Sequence, residues 1–392
     1  MRILFLHEVG YLEKPIFEMH EFPEHLSALG HEVAFTDYPE EGSVPSTADK
    51  SLLIPGRVLS NVNLRLYSQK PLTSGTLGRL LAAVGFPFFF MRVLRDFQPD
   101  LVVSFAVPTS GWQAALICRY RGIPLIFRAL DVSHKIRKTL FSPAVKFAER
   151  VVYSKSRWVS CNNPAMLAYC TALGAKDHSS SVDYPPLDLS HFLKSEIDKD
   201  IRLTLGIPDG SPVILYMGSF FYFSGLAEVI RELSLLEDRP YLVLIGGGEE
   251  DSTLREITRA LQLEQFVKFT GFVEFGMLPA YLSIADVAIN PMVPSLVSHK
   301  ALPNKVLQYM ASGLPVVTTK LEGLNSVFSN HDGIRQVFQP QHVLTAAMDL
   351  LNNPRLKDMG ESNRKLVEGK FGIGKAIRSF EQRLISLERN KS

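Results

Sequence analysis

The sequence predicts an α/β protein with two doubly wound parallel-sheet domains. Short apolar runs recur along the chain with helical patterns between them, which is typical of alternating strands and helices. The runs are continuously apolar rather than alternating, so each strand is expected to be covered by helices on both faces of a sheet. The length of 392 residues also exceeds what one compact core usually supports.

Four apolar runs in the first half are predicted as strands, and they are RILFLH (2–7), HEVAFTD (31–37), PDLVVSF (99–105) and IPLIFRALD (123–131). Helices are predicted over residues 15–29, where Gly30 ends the pattern, and over residues 111–122. The most apolar stretch, Leu80 to Met91, covers 12 residues. Because a membrane-spanning helix needs about 20 residues, this stretch is predicted to be a buried or interfacial helix, in a chain that does not span a bilayer.

The strand pattern restarts after residue 185. Pro185 and Pro186 form a stiff break that neither a helix nor a central strand tolerates, so a domain boundary is predicted there. Five further strands are predicted, and they are PVILYMGS (212–219), YLVLIGGG (241–248), FVKFTGF (266–272), DVAINPM (286–292) and LPVVTT (314–319). The tail from Pro354 onward is predicted to be helical and charged.

The charge distribution is more informative than the total. The net charge of +2 excludes a global nucleic-acid signature. Residues 51–160 carry 16 Lys and Arg against 4 Asp and Glu, whereas residues 1–50 carry 3 against 10. This split predicts either a basic face on the N-terminal half that meets anionic lipid or phosphate, or a solvated surface with its counter-charges elsewhere in the fold.

The three cysteines and the N-terminus predict a cytoplasmic protein. Cys118, Cys161 and Cys170 show no metal spacing and cannot all form pairs, which favours a reducing compartment. The first apolar run meets Glu8 and lacks the long apolar region of a signal peptide.

A short helix is predicted over residues 304–312. Pro303 presets its first turn, Gly313 suits a left-handed residue after its end, and Pro315 prevents its continuation. Free N–H groups at a helix start attract anions, and Lys305 adds a positive charge there. Lys305 is therefore either a phosphate ligand or an exposed lysine on a capped helix.

Residues 302–319 resemble the C-terminal signature of retaining glycosyltransferases of the GT-B fold, family 4 (group 1), in which runs like PNK-L-EYMA-G-PVV recur. The resemblance covers nearly the whole chain. Its further motifs are GHEV (30–33), VDYPPLDLSHF (182–192), LYMGSFFYFSGLAEVI (215–230), LIGGGEE (244–250), FTGFV (269–273) and LSIADVAINPM (282–292). The order of these motifs indicates the family more strongly than any one of them.

The resemblance implies a hexosyltransferase that moves a sugar from a nucleotide-diphosphate donor, of UDP or GDP type, to a glycan or lipid-linked acceptor. It implies an acceptor-binding Rossmann-like domain over residues 1–185, a donor-binding one over 186–375, and a helix over 376–392 that packs back on the first. No metal and no cofactor are implied, since amides, a helix start and basic side chains offset the diphosphate. The expected location is the cytoplasm or the inner face of an anionic membrane, with no nucleic-acid partner.

This sequence departs from the family pattern in the donor site. The paired glutamates of the family correspond to Lys300 and Gln308, neither of which is acidic. Gln308 can still accept a ribose hydrogen bond through its amide oxygen, whereas Lys300 cannot accept one. The usual Arg and Lys of the phosphate loop correspond to Ser219 and Ser224, so backbone N–H groups near Gly218 and the two lysines are expected to take over. The full set of donor-site candidates is Gly218, Ser219, Ser224, Gly247, Phe272, Val273, Lys300, Asn304, Lys305 and Gln308.

The N-terminal domain supplies the predicted acceptor site. Asp131 ends a strand and is the main candidate for orienting or deprotonating an acceptor hydroxyl; a helix cap is the alternative. His134 is a second catalytic candidate. The acceptor-binding candidates are His7, Gly10, Arg128 and Asn162. The glycines at 246–248 permit either close approach of a ligand or a tight turn.

Two other functions are compatible with this sequence. With the glutamates and the phosphate-loop cations changed, the chain could be a non-catalytic GT-B scaffold that binds a partner glycosyltransferase or a glycan. A hydrolysing sugar-nucleotide epimerase of similar architecture would need inward-facing acidic residues that the sequence does not place.

Overall fold

The computed structural model describes residues 1–14, 16–38, 51–69, 75–136, 141–192 and 197–389. The chain forms two compact units. The first contains Met1–Pro186 together with Gly374–Ser392, and the second contains Leu187–Ile373. Each unit is built on its own parallel sheet, which confirms the predicted fold class.

The N-terminal segment of the first unit alternates strands with helices. Its elements in chain order are β1 (Arg2–Leu6), α1 (Glu18–Ala28), β2 (Glu32–Asp37), β3 (Leu52–Pro55), β4 (Asn63–Ser68), α2 (Gly75–Phe97), β5 (Leu101–Ser104), α3 (Gly111–Arg121), β6 (Leu125–Ala129), α4 (Ser133–Ile136), α5 (Ser142–Lys155), β7 (Trp158–Cys161), α6 (Pro164–Ala172) and, after a 3-10 turn, β8 (Ser180–Val182). Residue 15, where the first helix was predicted to begin, lies outside the described residues.

The sheet of the first unit has eight strands in the order β3-β4-β2-β1-β5-β6-β7-β8. Every neighbouring pair is parallel except β3 and β4, which are antiparallel at one edge. The four strands predicted from apolar runs, β1, β2, β5 and β6, are confirmed at its centre. Their side chains are almost all buried, because helices cover both faces.

Helix α2 is longer than the apolar stretch suggested, with 23 residues and Pro87 inside it. Among the described residues it is the one helix whose length and composition would suffice to cross a membrane. A core helix of a globular protein meets the same criterion. Five side chains of α2 belong to the buried core of the first unit, and they are Phe86, Phe90, Val93, Leu94 and Phe97. One face of helix α2 therefore packs into that core.

The second unit has the same alternation. Its elements are α7 (Lys199–Thr204), β9 (Val213–Met217), α8 (Leu226–Leu235), β10 (Tyr241–Ile245), α9 (Asp251–Ala260), β11 (Val267–Gly271), α10 (Leu278–Ser283), β12 (Val287–Asn290), α11 (Leu296–Lys300), α12 (Asn304–Ala311), β13 (Val316–Thr319), α13 (Glu322–Phe328), β14 (Ile334–Val337), α14 (His342–Leu351) and α15 (Leu356–Phe371). The last helix of the chain is α16 (Ile373–Arg389).

The sheet of the second unit is parallel throughout, in the order β11-β10-β9-β12-β13-β14. All five strands predicted in this half are present. Helix α12 begins at Asn304 as predicted, and Gly313 after its end has a φ of +73°, the left-handed conformation that glycine adopts freely.

Helix α16 packs on the first unit. Phe380 lies against Phe22 of α1 with ring centroids 4.5 Å apart. Arg383 donates to the carboxylate of Asp183 at 3.3 Å. The end of the chain is thus part of the first unit's core.

Candidate active site

The strand order of the second sheet marks a crevice. Strands β10 and β11 lie on one side of β9, and β12, β13 and β14 lie on the other. The order of the strands therefore switches sides between the adjacent parallel strands β9 and β12. Ligands of open α/β sheets bind beyond the carboxyl ends of the strands at such a point. The loop after β9, residues 218–225, and the first turn of α12 meet here.

Lys305 lies at the second position of α12. Its Nζ donates to the hydroxyl of Tyr216 at 2.7 Å and lies 4.1 Å from the centre of that ring. A Cβ built on Gly218 would come within 2.7 Å of Nζ, so the ammonium also lies against the turn after β9. Lys305 keeps some accessible surface, yet the protein packed around it lowers the pKa of the ammonium to about 7. No carboxylate of the described residues pairs with Lys305.

Helix α12 is also fixed to β9 by Tyr309. The backbone N–H of Met217 donates to the hydroxyl of Tyr309 at 2.6 Å. Val306, Leu307 and Met310 face the core, as their apolar pattern predicted. The position of Lys305 is therefore set by packing on both sides of its helix turn.

The glycine-rich turn after β10 packs against the turn after β9, which supports the tight-turn interpretation of residues 246–248. Gly246 has a φ of +125°, and a Cβ there would meet the carbonyl oxygen of Gly218 at 2.1 Å. The N–H of Gly218 donates to the carbonyl of Ile245 at 2.9 Å. This donor is therefore already used within the protein, and diphosphate binding by the N–H groups near Gly218 stays a prediction. The carbonyl of Gly247 accepts from Phe220 N–H at 2.9 Å.

The loop after β9 presents aromatic side chains instead of the family's cations. Phe220 is buried in the core, while Phe221 and Tyr222 are exposed. Ser219 is exposed, and its carbonyl accepts from the Tyr216 hydroxyl at 3.0 Å. Ser224 is buried, and its N–H donates to the carbonyl of Phe221, so the structure gives Ser224 no access to a ligand.

The other donor-site candidates differ in availability. Lys300 forms an ion pair with the exposed Glu322 at the start of α13, and the role of its charge in offsetting the diphosphate stays a prediction. Asn304 and Gln308 keep accessible surface on the first turns of α12. The ring of Phe272 is exposed and lies against Gly247, with Val273 half-buried beside it; a nucleobase contact there stays a prediction.

In the first unit, Arg128 is buried and held by several protein groups. Its guanidinium binds the carboxylate of Glu18 at 2.7 Å through two nitrogens. It also donates to the Ser160 hydroxyl at 3.0 Å and to the Asp183 carbonyl at 2.6 Å. These contacts hold β6, β7 and α1 together, and binding of an acceptor phosphate by Arg128 stays a prediction that they do not support.

Asp131 follows β6, at the carboxyl edge of the same sheet. Its side chain is exposed to solvent, yet the surrounding protein raises the pKa of its carboxyl. Burial likewise raises the pKa of the nearby Glu18, whose charge interacts with Asp131, and the guanidinium of Arg128 opposes that rise. Sequence reasoning missed Glu18, because its partner Arg128 lies 110 residues away and no local spacing reveals it.

His134 is a structural residue. It is buried, and its Nδ1 lies 2.8 Å from the carboxylate of Glu149. The hydroxyl of Tyr169 donates to the same carboxylate at 2.9 Å. The pair ties α4, and with it the loop carrying Asp131, to α5 and α6, and a catalytic role for His134 stays a prediction that these contacts do not support.

The loop after β1 is closed by protein groups. The carboxylate of Glu8 accepts from the N–H groups of Thr109 and Ser110, each at 2.7 Å, and so caps the start of α3. Burial, together with the charges of His20, Arg79 and Lys14, lowers the pKa of His7 to about 3, so its ring is neutral near pH 7.

Two further acceptor candidates are buried. Gly10 is buried in the same loop as His7. The side chain of Asn162 accepts from Asn163 at 2.8 Å and donates weakly to the carbonyl of Leu130 at 3.4 Å. Asn162 therefore supports the backbone beside Asp131 instead of facing a ligand. Direct acceptor binding by His7, Gly10 or Asn162 has no support from these surroundings.

Glu18→Gln is expected to lower the free energy of unfolding by about 3–5 kcal/mol, because it leaves the buried Arg128 guanidinium without its counter-charge. Urea unfolding of the purified chain measures this change. The matched control is Glu32→Gln, which removes the partner of Arg65 in an exposed pair at 3.6 Å and should cost no more than about 1 kcal/mol. Equal effects of the two variants would contradict a structural role for the buried pair.

Comparison with known proteins identifies the family. The model described as "Glycosyl transferase 4-like domain" matches residues 19–180, and the model described as "Glycosyl transferases group 1" matches residues 211–353. The chain belongs to the group 1 glycosyltransferases. The two matches together cover most of this glycosyltransferase, one in each unit.

Curated relatives and solved structures agree with this assignment. This glycosyltransferase is 24% identical over 290 residues to TuaC of Bacillus subtilis, named as a teichuronic acid biosynthesis glycosyltransferase, with 73% of this chain and 70% of TuaC aligned. It is 25% identical over 309 residues to alpha-monoglucosyldiacylglycerol synthase of Streptococcus pneumoniae, with 74% and 68% aligned. HepE of Anabaena in complex with UDP superposes with a TM-score of 0.76 at 17% identity, over 98% of this chain and 100% of HepE. The likeness to HepE confirms the GT-B fold.

Metal ligands do not cluster in the described ranges: no group of three or more His, Cys, Asp or Glu there could hold an ion. Metal independence itself stays a prediction.

Proposed function

We propose that this glycosyltransferase moves a sugar from a UDP- or GDP-type donor to a glycan or lipid-linked acceptor, with retention of the anomeric configuration and without a metal ion. One observation carries the proposal. The Lys305 ammonium lies beside the turn after β9, at the start of α12, with no carboxylate partner among the described residues. A cation in such surroundings favours an anionic ligand.

The lowered pKa of Lys305 supports a diphosphate as that ligand. A partly buried ammonium without a counter-charge loses its proton easily, whereas a bound diphosphate would favour the charged form. The amides at the start of α12 add partial positive charge in the same place. HepE, which shares the fold, was solved with UDP, and this favours a uridine nucleotide as the first donor to test.

In the proposed mechanism Lys305 stabilises the negative charge that develops on the leaving diphosphate. Asp131, on the first unit, orients the acceptor hydroxyl or takes its proton, and the surrounding protein, which raises the pKa of its carboxyl, makes it a stronger base than an ordinary aspartate. Arg128 and Glu18 act as positioning residues for this strand end. The proposed acceptor classes follow the names of the relatives: TuaC is named for teichuronic acid biosynthesis, and the Streptococcus pneumoniae enzyme for synthesis of the glycolipid monoglucosyldiacylglycerol. We place the protein in the cytoplasm.

A non-catalytic GT-B scaffold is the second candidate. The ion pair of Lys300 with Glu322 favours it, because the position that holds a donor-contacting glutamate in relatives here makes an internal contact. The N–H of Gly218 also favours the scaffold, because it donates to the carbonyl of Ile245 within the protein. A scaffold would keep the fold and bind no nucleotide.

A thermal-shift screen against UDP, GDP, ADP and TDP separates the two candidates. At a concentration 100 times Kd, a bound nucleotide should stabilise the second unit by about 2.7 kcal/mol. For a domain of this size the expected rise in Tm is about 5–10 °C. A shift with one nucleotide, reduced to about half or less in Lys305→Ala at the same concentration, supports the donor site. No shift with any of the four, at millimolar concentration, would leave only the scaffold.

A further inference from the structure

Three helices of the first unit form one outward face. Helices α2, α3 and α5 contribute to the same buried core on one side of the sheet. Gln113 of α3 donates to the carbonyl of Ala83 in α2 at 2.8 Å, and Arg121 of α3 contacts the sulfur of Met91. Helix α3 also packs against α5. The side chains of these helices that point away from the core therefore share one surface, which we call the α2-α3-α5 face.

This face exposes large apolar side chains in an ordered way. In α2 the residues Leu77, Leu80, Leu81, Val84 and Phe88 recur every three or four positions, and Val84 and Phe88 are 72% and 80% exposed. Tyr120 of α3 is 90% exposed and Phe147 of α5 is 65% exposed. Contiguous exposed apolar surface of this kind marks a binding surface, whereas scattered single residues do not.

Positive charges predominate on the same three helices. Together the three helices hold eight Lys and Arg against two Asp and Glu. Of the two acids, Glu149 is buried against His134, and Asp96 accepts from the Tyr67 hydroxyl. The exposed cations are Arg92, Arg95, Arg119, Arg121, Lys146, Arg150 and Lys155. An apolar surface bordered by cations, with little acidic charge, is complementary to an anionic lipid surface.

The two kinds of residue are separated along α2. Its exposed apolar residues lie mostly in its first half, and its exposed arginines, Arg92 and Arg95, lie in its last two turns. Helices that connect parallel strands begin near the carboxyl edge of the sheet. The apolar part of the face is thus on the side of Asp131, where a lipid-linked acceptor would be needed.

We propose that the α2-α3-α5 face docks the protein on an anionic membrane, with the apolar residues in the interfacial region and the cations on lipid headgroups. The role of this docking in catalysis rests on the proposed lipid-linked acceptor. The docking surface itself is inferred only from the exposure and the charge of its residues.

Co-sedimentation with vesicles tests the docking. The full-length protein should bind vesicles that contain phosphatidylglycerol at low salt, bind phosphatidylcholine vesicles far less, and be released at high salt. The double variant Val84→Ser/Phe88→Ser should lower the partition coefficient by about tenfold or more, because both side chains already lie in water and their loss leaves the core intact. The matched control is Leu203→Ser/Leu235→Ser, two leucines of the second unit that are 81% and 74% exposed. The control should bind as the unaltered protein does.

Several results would overturn the docking. These are no binding to anionic vesicles at low salt, equal binding to neutral vesicles, or unchanged binding by the double variant. A concentration-dependent dimer in sedimentation velocity that the double variant abolishes would assign the face to a second copy of the chain instead. The thermal shift with UDP is measured on the same samples. Vesicle binding lost with the shift kept removes only this inference, and the shift lost with vesicle binding kept removes only the proposed donor chemistry.

Discussion

Replacing Lys305 with alanine is expected to weaken nucleoside diphosphate binding by about 10- to 100-fold, the effect of removing one hydrogen bond to a charged group. The free protein should not be destabilised. Tyr216 keeps its hydrogen bond to the Ser219 carbonyl, and an ammonium without a counter-charge is lost. Isothermal titration calorimetry with the nucleotide that gives the largest thermal shift measures the change. Unchanged affinity would remove Lys305 from the donor site.

Lys305 should also make donor binding depend on pH. Because the diphosphate favours the ammonium, affinity should fall by roughly tenfold for each pH unit above about 7, until the higher pKa of the bound state is reached. The free protein should behave in the opposite way. The folded pKa of Lys305 lies below its ordinary value of 10.5, so the unfolded chain binds more protons and stability rises with pH between about 7 and 10.5. Lys305→Arg is the matched control, because its charge does not titrate and its affinity should stay constant across this range.

Asp131→Asn is expected to lower turnover by about 100- to 10,000-fold, the usual contribution of a general base, while nucleotide affinity stays the same. Turnover is measured as release of the nucleoside diphosphate from its sugar nucleotide. Water replaces the acceptor in this assay, so the acceptor need not be known. Asp177→Asn serves as the control, because Asp177 is an exposed aspartate of the same unit away from the strand ends.

The pH profile adds a second readout for Asp131. A base must be deprotonated, so turnover should fall as the pH drops through the raised pKa of this carboxyl, and the fall should be absent in Asp131→Asn. Full turnover by the asparagine variant would restrict Asp131 to a structural role, such as capping the short helix that follows it.

The strands that sequence could predict are those buried on both faces. Runs such as those of β1, β9 and β10 are continuously apolar, because helices cover them above and below. Strand β4, which lies next to the edge strand β3, and the edge strand β8 were missed, since NLRLYS alternates with polar residues and SSV has almost no apolar side chains. Edge strands bury less surface, so their sequences carry a weaker signal.

The same distinction applies to the candidate site. Lys305 was found because a proline, a lysine and a glycine at the ends of one helix form a local pattern. The contacts that already occupy Lys300 and Arg128 join residues 22 and 110 positions apart. The tie of His134 to Glu149 depends on how α5 folds back, and spacing alone does not show it. Local spacing therefore identified candidate residues, and only the folded chain showed which side chains were already used.

The return of the last helix to the first unit makes the second unit an insertion. The N–H of Leu187 donates to the carbonyl of Phe371, and the N–H of Ile373 donates to the carbonyl of Leu187, so the chain leaves and re-enters at neighbouring points. Inserted domains characteristically have such adjacent ends. A fragment that stops at residue 186 would lack Phe380 over Phe22 and Arg383 beside Asp183. A single cut therefore cannot separate the two halves into intact folds, whereas excising residues 187–373 as one piece leaves ends that a short linker could rejoin.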